Sequence, residues 1–301
     1  VFHQHLQGYS FNALRNHGKE RCGFSKDIPK VEVALESTGE CRQWIFHDTN
    51  NAGPSSTAFQ PQPIPKWKVR DILKVLLHKS TAKARPKVFK KNPKVEVCDA
   101  NGSVESILAW AKAARLDRRQ KRSFEAIVAA FLLTFHDFEQ SDYNDSSLTG
   151  KLRTRARNAK AALQFLTGTK EGRLILLLHG PGGSGKSTVI NLVLAYAREY
   201  CELLGHPFTI RTIVVTAMSG VAATLIHGET THKAMAINKD NGPDPDDIEA
   251  WHDTRLVIID ECSFASPGQV EQMERCARVL KSQDYLYYGG LNIVFAGDFS
   301  Q

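Results

Sequence analysis

Gly180, Gly185, Lys186 and Ser187 stand in the order Gly-x-x-x-x-Gly-Lys-Ser within Gly180–Ser187, GPGGSGKS. That spacing suits one chemistry, the cradling of a nucleoside triphosphate. Glycine lets backbone N–H groups turn inward on phosphate oxygens, so Gly180, Gly182, Gly183, Ser184 and Gly185 form the cradle. Lys186 supplies a point charge to the β- and γ-phosphates, and Ser187 offers a hydroxyl to Mg²⁺. A second set of residues, Leu256–Glu261 (LVIIDE), is an apolar strand ending in two carboxylates. Side chains alternate along a strand, so Asp260 can face the phosphate loop and hold Mg²⁺, while Glu261 reaches an attacking water as general base. A third set, Gly297-Asp298-Phe299-Ser300-Gln301, ends another apolar strand. With the first two it points to a γ-phosphate sensor, Gln301 being the contacting side chain.

The elements that must position these groups are legible from period and punctuation. Strands are expected at Leu174–His179, Thr209–Thr216, Leu256–Asp260 and Asn292–Ala296, and helices at Lys186–Leu204, Ser219–Ile226 and Gly268–Leu280. Alternating apolar strands and helical crossovers imply an α/β fold, a parallel sheet with helices on both faces. Ligands in such sheets bind at the carboxyl ends of the strands, where all three sets fall. Upstream, Phe124, Ile127, Val128, Phe131, Leu132 and Phe135 repeat at helical spacing, and Lys151–Leu166 reads as a helix with a basic exposed face. Ser103 is the expected N-cap of a helix running to Leu116, and Asp137–Gly150 reads as a polar loop. Residues 1–102 form an N-terminal region of unread fold, poorly ordered and basic, with linker composition at Asn50–Pro65. Residues 103–301 form the nucleotide-binding domain.

The 301 residues carry a net charge of +7 and are 42% hydrophobic, enough for a proper core. Eleven basic residues lie between Lys66 and Lys94 against Asp71 alone. Further clusters run Lys112–Arg122 and Lys151–Lys160. Such patches suit a polyanion; solvated helix faces, or a nuclear-import signal near Lys83–Lys91, explain any one of them equally well. No apolar stretch reaches the ~20 residues of a membrane span. Val1–His5 lacks the features of a signal peptide, and Val1 in place of Met is expected of a fragment or an incomplete gene model. Six cysteines show no metal-ligand rhythm, which fits free thiols in a reducing compartment, and no metal beyond Mg²⁺ is read.

Thr216–Ala223 (TAMSGVAA) ends the second strand and opens a helix of small residues. Ser219 and Gly220 could admit a nucleic-acid backbone, or Ser219 could simply cap a tightly packed helix. His232, in Gly228–His232, is either a strand contact or a satisfied core histidine.

Together, GPGGSGKST, TAMSGVAATLIHGETTH, LVIIDECS and GDFSQ, in this order and spacing, resemble the ATPase motor of superfamily 1 DNA helicases of the Pif (petite integration frequency) type, including algal and Helitron-associated members. The resemblance covers about residues 116–301. It implies a P-loop NTPase fold of RecA-like type and ATP-driven DNA unwinding with 5′→3′ movement on a single strand, in repair, recombination and telomere maintenance. It implies phosphate and Mg²⁺ binding by Gly183, Gly185, Lys186, Ser187 and Thr188, an acidic pair in Asp260 and Glu261, γ-phosphate sensing by Gln301, and adenine recognition by Gln120 in Leu116–Gln120. It also implies single-stranded DNA or DNA junctions as partners, with Ser219, Gly220 and His232 in contact, a monomer, no membrane and a nuclear location. Met218 and Ser219 stand where the family usually has Pro and Thr. The family continues past its GDFSQ-like motif with a Leu-Pro-Pro run and a second RecA-like domain carrying arginines, so the 301 residues alone are expected to hydrolyse ATP poorly and not to unwind DNA. The competing readings are a P-loop ATPase or nucleoside kinase that does not move on DNA, and a non-catalytic, transposon-derived nucleic-acid binder.

Overall fold

The computed structural model describes residues 67–78, 99–169, 173–226, 228–237 and 242–300. Among these residues five strands form one parallel sheet: β1 (Ile175–His179), β2 (Ile213–Ala217), β3 (Glu229–Thr230), β4 (Leu256–Asp260) and β5 (Asn292–Gly297), in the order β1-β5-β4-β2-β3. The chain therefore places its last strand between the first and the fourth. Each strand interior is apolar on both sides because both sheet faces are covered. Leu176, Leu178, Ile258, Val294 and Ala296 enter one core. Their alternating neighbours Leu177, Val257, Ile259, Ile293 and Phe295 enter the other.

The first face is covered by α1 (Val69–Leu76), α2 (Val104–Ala113), α3 (Arg118–Leu133), α4 (Gly150–Thr167) and α5 (Lys186–Leu204). Phe124, Ile127 and Phe131 of α3 and Val189, Val193 and Tyr196 of α5 share this core, as the helical spacing requires. The second face is covered chiefly by α9 (Pro267–Leu280), through Val270, Met273, Ala277 and Leu280, with Trp251 at the end of α8 (Pro245–Trp251). Two short helices, α6 (Gly220–Leu225) and α7 (Thr231–Ala234), flank β3. Among the described residues no helix is long and apolar enough to cross a membrane.

The expected α/β P-loop architecture of RecA-like type is the one observed, and the differences are local. Ser103 does cap α2, accepting from the Ser106 amide, but the helix stops at Ala113 rather than Leu116, and Arg115 takes a left-handed φ of 52°. The second strand starts at Ile213 rather than Thr209. The Thr209 amide instead donates to the Thr212 hydroxyl at 3.0 Å and the Arg211 amide to the Thr209 hydroxyl at 3.1 Å, side-chain bonds that compete with the ladder. The polar segment 137–150 holds a 3₁₀ turn, Gln140–Asn144, and buries Phe138, Tyr143 and Leu148. Helix α1, within the region before residue 103, places Val69, Ile72 and Leu73 in the same core as α3 and α5. Residues 1–66 and 79–98, with most of the linker and basic segment, lie outside the described residues.

Asn292 binds three elements together. Its side-chain oxygen accepts from the Leu174 amide at 2.8 Å, and its nitrogen donates to the carbonyls of Ala130 and Arg255 at 3.3 and 3.2 Å. This buried amide closes the start of β1, the end of α3 and the start of β4 in one place.

His136, just past α3, is 2% exposed and its Nδ1 has no hydrogen-bond partner. Burial pushes its pKa down to about 4, and the Lys160 ammonium adds to the shift. The unfolded chain, with its ordinary histidine pKa, takes up the proton first. Stability present above the unfolded pKa of about 6.5 is therefore lost progressively as pH falls toward about 4. Urea denaturation at a series of pH values is expected to show a loss of roughly 2–3 kcal/mol between about pH 7 and pH 4.5, most of it absent in His136→Phe.

Candidate nucleotide site

Parallel register brings four strand ends to one edge. His179 pairs with Gly297, Ile259 with Phe295 and Ala217 with Asp260. The phosphate loop leaves β1 directly after His179, and Lys186 opens α5. Two loop glycines, Gly183 at φ 75° and Gly185 at φ 85°, occupy the left-handed region that glycine enters without strain. The Lys186 ammonium is folded into the loop, donating to the carbonyls of Gly180 at 2.6 Å and Pro181 at 3.3 Å. Ser184 contributes a buried hydroxyl without a hydrogen-bond partner, a polar atom suited to a ligand's phosphate oxygen. Ser187 and Thr188 lie exposed on the first turn of α5.

Asp260 ends β4 nearly buried, and its Oδ1 accepts the backbone N–H of Glu261 at 2.9 Å. Glu261 itself has φ 53° and ψ 36°, a left-handed conformation that costs a non-glycine residue about 1–2 kcal/mol. This strain sits at the residue whose type suggested a general base. Beyond it, the buried Cys262 thiol is pushed well up by burial and then by the carboxylates of Asp260 and Glu261, with the Lys186 ammonium pulling the other way. At Asp298, desolvation raises the carboxyl, but hydrogen bonds from Ser300 and the Lys186 charge outweigh it and leave it below the usual range. Lys186 thus acts electrostatically on groups at the ends of β1, β4 and β5. Gly297 allows this convergence, since a Cβ there would meet the Cys262 sulfur at 3.0 Å and the Ser263 nitrogen at 3.1 Å.

The donor set fits a hard cation. Ser187 and Asp260 offer oxygen ligands only, and among the described residues no group of three or more His, Cys, Asp or Glu side chains could form a protein cage. Mg²⁺ characteristically takes one or two protein oxygens and completes its shell with phosphates and water.

Gln120 reaches the phosphate loop from α3. Its Oε1 accepts the Asp117 N–H at 3.1 Å, closing a capping box, and its Nε2 donates to the Ser184 carbonyl at 3.0 Å. The amide expected to read adenine is thereby also a brace for the loop. Ser219 is an N-cap, its hydroxyl accepting from the Ala222 amide at 3.2 Å, so the structural reading of that residue is realised. Gly220 beside it is exposed, with open space where a Cβ would stand. The Met218 amide donates to the Asp260 carbonyl at 3.3 Å, which ties the start of this segment to the acidic strand. His232 lies apart on α7, its Nε2 3.1 Å from the side-chain nitrogen of Gln269 on α9. Gln301 lies outside the described residues. The sequence singles out neither His179 nor Asn292, and shows Gly297 only as the first residue of the GDFSQ set, because their contacts depend on strand order; for His179 the available signal was a polar residue ending an otherwise apolar strand.

Residues 157–301 match the model of the PIF1-like helicase family. Through this segment the chain is similar to the PIF1-like helicases. It is 31% identical over 132 residues to the ATP-dependent DNA helicase RRM3 of Saccharomyces cerevisiae, covering 40% of this chain and 17% of the relative. It is 29% identical over 138 residues to the uncharacterised protein 030L of Invertebrate iridescent virus 6, covering 42% of this chain and 24% of that one. The chain thus spans a quarter or less of these curated relatives. A crystal structure of the Pif1 helicase from Candida albicans aligns with 26% identity and a TM-score of 0.35, over 46% of this chain and 31% of that one. Helices α1–α3 and the first part of α4 precede the segment matched to the PIF1-like family.

The two left-handed glycines separate strain from contact. Gly183→Ala meets open space and is expected to cost only the left-handed penalty, about 1–2 kcal/mol. Gly185→Ala carries the same penalty and also runs into the Gln120 side-chain nitrogen, so it should cost about 1 kcal/mol more through loss of the Gln120–Ser184 bond. Urea denaturation of the single and double variants measures this; in a Gln120→Ala background the excess should vanish.

Proposed function

We propose that the chain is the first motor domain of an ATP-dependent DNA helicase. The observation that carries this reading is the convergence of the phosphate loop, the Asp260–Glu261 pair and the Asp298–Ser300 turn at one sheet edge, with Lys186 acting electrostatically on groups at three strand ends. Gly180, Gly182, Gly183, Ser184, Gly185 and Thr188 bind the triphosphate through backbone and hydroxyl groups. Lys186 exchanges the carbonyls of Gly180 and Pro181 for phosphate oxygens. Ser187 and Asp260 hold Mg²⁺, which when bound neutralises charge on the phosphates. Glu261 accepts a proton from the attacking water, Gln120 reads adenine, and Gln301 contacts the γ-phosphate.

On the same reading, single-stranded DNA passes Ser219 and Gly220, with His232 as a further contact, and the motor moves 5′→3′. It works as a monomer in the nucleus, in repair, recombination and telomere maintenance. The names of relatives such as RRM3 support the helicase class. The link from the Met218 amide to the Asp260 carbonyl offers a direct path between the proposed DNA side and the acidic pair.

Lys186→Ala separates the two binding activities. A fluorescent ATP analogue should lose about tenfold or more in affinity, as expected for removal of a charge-assisted contact worth ~1.5–3 kcal/mol. Anisotropy with labelled single-stranded DNA should change little, while affinity in both proteins falls steeply with salt. Loss of ATP and DNA binding together would count against two sites. ATP turnover that ignores added DNA would favour a P-loop ATPase that does not act on DNA.

A further inference from the structure

We propose that His179 is a positioning residue that ties the phosphate-loop strand to the Asp298–Ser300 turn and so makes that turn discriminate triphosphate from diphosphate. This inference rests on the nucleotide site proposed above. His179 is the last residue of β1, opposite Gly297 in the ladder and immediately before Gly180. Its side chain crosses to the neighbouring loop, where Nδ1 accepts the backbone N–H of Phe299 at 3.3 Å. The two rings lie 5.8 Å apart at 53°, so packing reinforces the hydrogen bond. A return bond runs the other way, from the Gly180 amide to the Gly297 carbonyl at 3.2 Å.

Two successive amides of the turn are thus held by side chains. Phe299 N–H is held by His179, and Ser300 N–H by Asp298 Oδ1 at 2.9 Å. In sequence the turn is followed by Gln301, the residue proposed above to contact the γ-phosphate. One of its two restraints comes from the strand that carries the phosphate loop. Chemistry narrows what can serve at position 179. An aliphatic residue offers no acceptor, and a carboxylate would sit beside the Asp298 charge. A neutral imidazole accepts at Nδ1 without adding charge. Burial favours that neutral form by lowering its pKa; the Asp298 charge and a hydrogen bond with the Gly297 backbone oppose the shift, and Lys186 adds to it.

Isothermal titration of the full chain with ATPγS and with ADP tests the proposal, using wild type, His179→Phe and His179→Asn. Phenylalanine keeps a ring against Phe299 but has no acceptor; asparagine keeps a neutral acceptor without the ring. His179→Phe is expected to bind ADP within about twofold of wild type and to lose about fivefold of the preference for ATPγS, a change typical of one hydrogen bond. His179→Asn should recover most of that preference. An unchanged preference in His179→Phe, an equal loss for both nucleotides, or an asparagine variant no better than phenylalanine would overturn the inference. Should His179→Phe not fold, His179→Val, smaller and equally without an acceptor, takes its place with the same expectations. A wild-type chain that binds neither nucleotide would instead overturn the nucleotide site itself.

Discussion

The fold turns on β5, the strand inserted between β1 and β4. All six of its residues are buried, and it pairs on both sides. At its start, the Asn292 amide satisfies backbone groups from three other segments, and at its end Gly297 lets the chain pass close to Cys262 and Ser263. Neighbouring strands lie about 4.8 Å apart, so one intervening strand sets the phosphate loop and the acidic pair about 10 Å from each other. That gap suits a chain of phosphates with a hydrated cation better than a direct Lys–Asp ion pair. In keeping with it, Lys186 bonds to its own loop carbonyls rather than to Asp260.

The same constraint accounts for the strain at Glu261. The register of β4 with β2 and β5 fixes Asp260 at the edge, and Cys262 is completely buried immediately afterwards. The backbone must therefore turn within a single residue, and Glu261 takes the left-handed conformation that permits it. Asp260 stabilises the turn by accepting the Glu261 amide. Position and backbone geometry, rather than residue type alone, set the two acids apart.

What the sequence displays and what it hides divide along the range of the interactions. The phosphate loop is a local device whose glycines, lysine and hydroxyl residues are contiguous, and its left-handed positions follow from its pattern. Helices α3 and α5 are legible because the spacing of Phe124, Ile127 and Phe131, or of Val189, Val193 and Tyr196, is itself the packing signal. The contacts of His179, Asn292 and Gly297 are invisible at that range, because each depends on β5 lying next to β1, a fact of strand order. The Thr209–Thr212 turn has the sequence pattern of a strand because β-branched threonines suit both, and only their hydroxyl bonds decide between them. Helix α1 was hidden because its apolar residues are interleaved with Lys68, Arg70 and Lys74 in a segment dominated by charge.

The helical layer ahead of the PIF1-like segment belongs physically to the site. Without α3 the first sheet face would lose Phe124, Ile127 and Phe131, each essentially fully buried, and the Leu176, Leu178, Val294 and Ala296 side of the sheet would keep only the part of its cover that the other helices of the layer supply. The hydrophobic cost of exposing such side chains is about 1.5–3 kcal/mol each, too much for a free-standing sheet to carry. The layer also reaches the chemistry, since the helix start that buries Phe124 places Gln120 against the Ser184 carbonyl. One capping interaction, Asp117 with Gln120, thereby fixes both the beginning of a core helix and one wall of the phosphate loop. A rotation of α3 by one residue would break the cap, the core contact and the brace together, so the packing of this layer and the shape of the loop are set by a single choice of register.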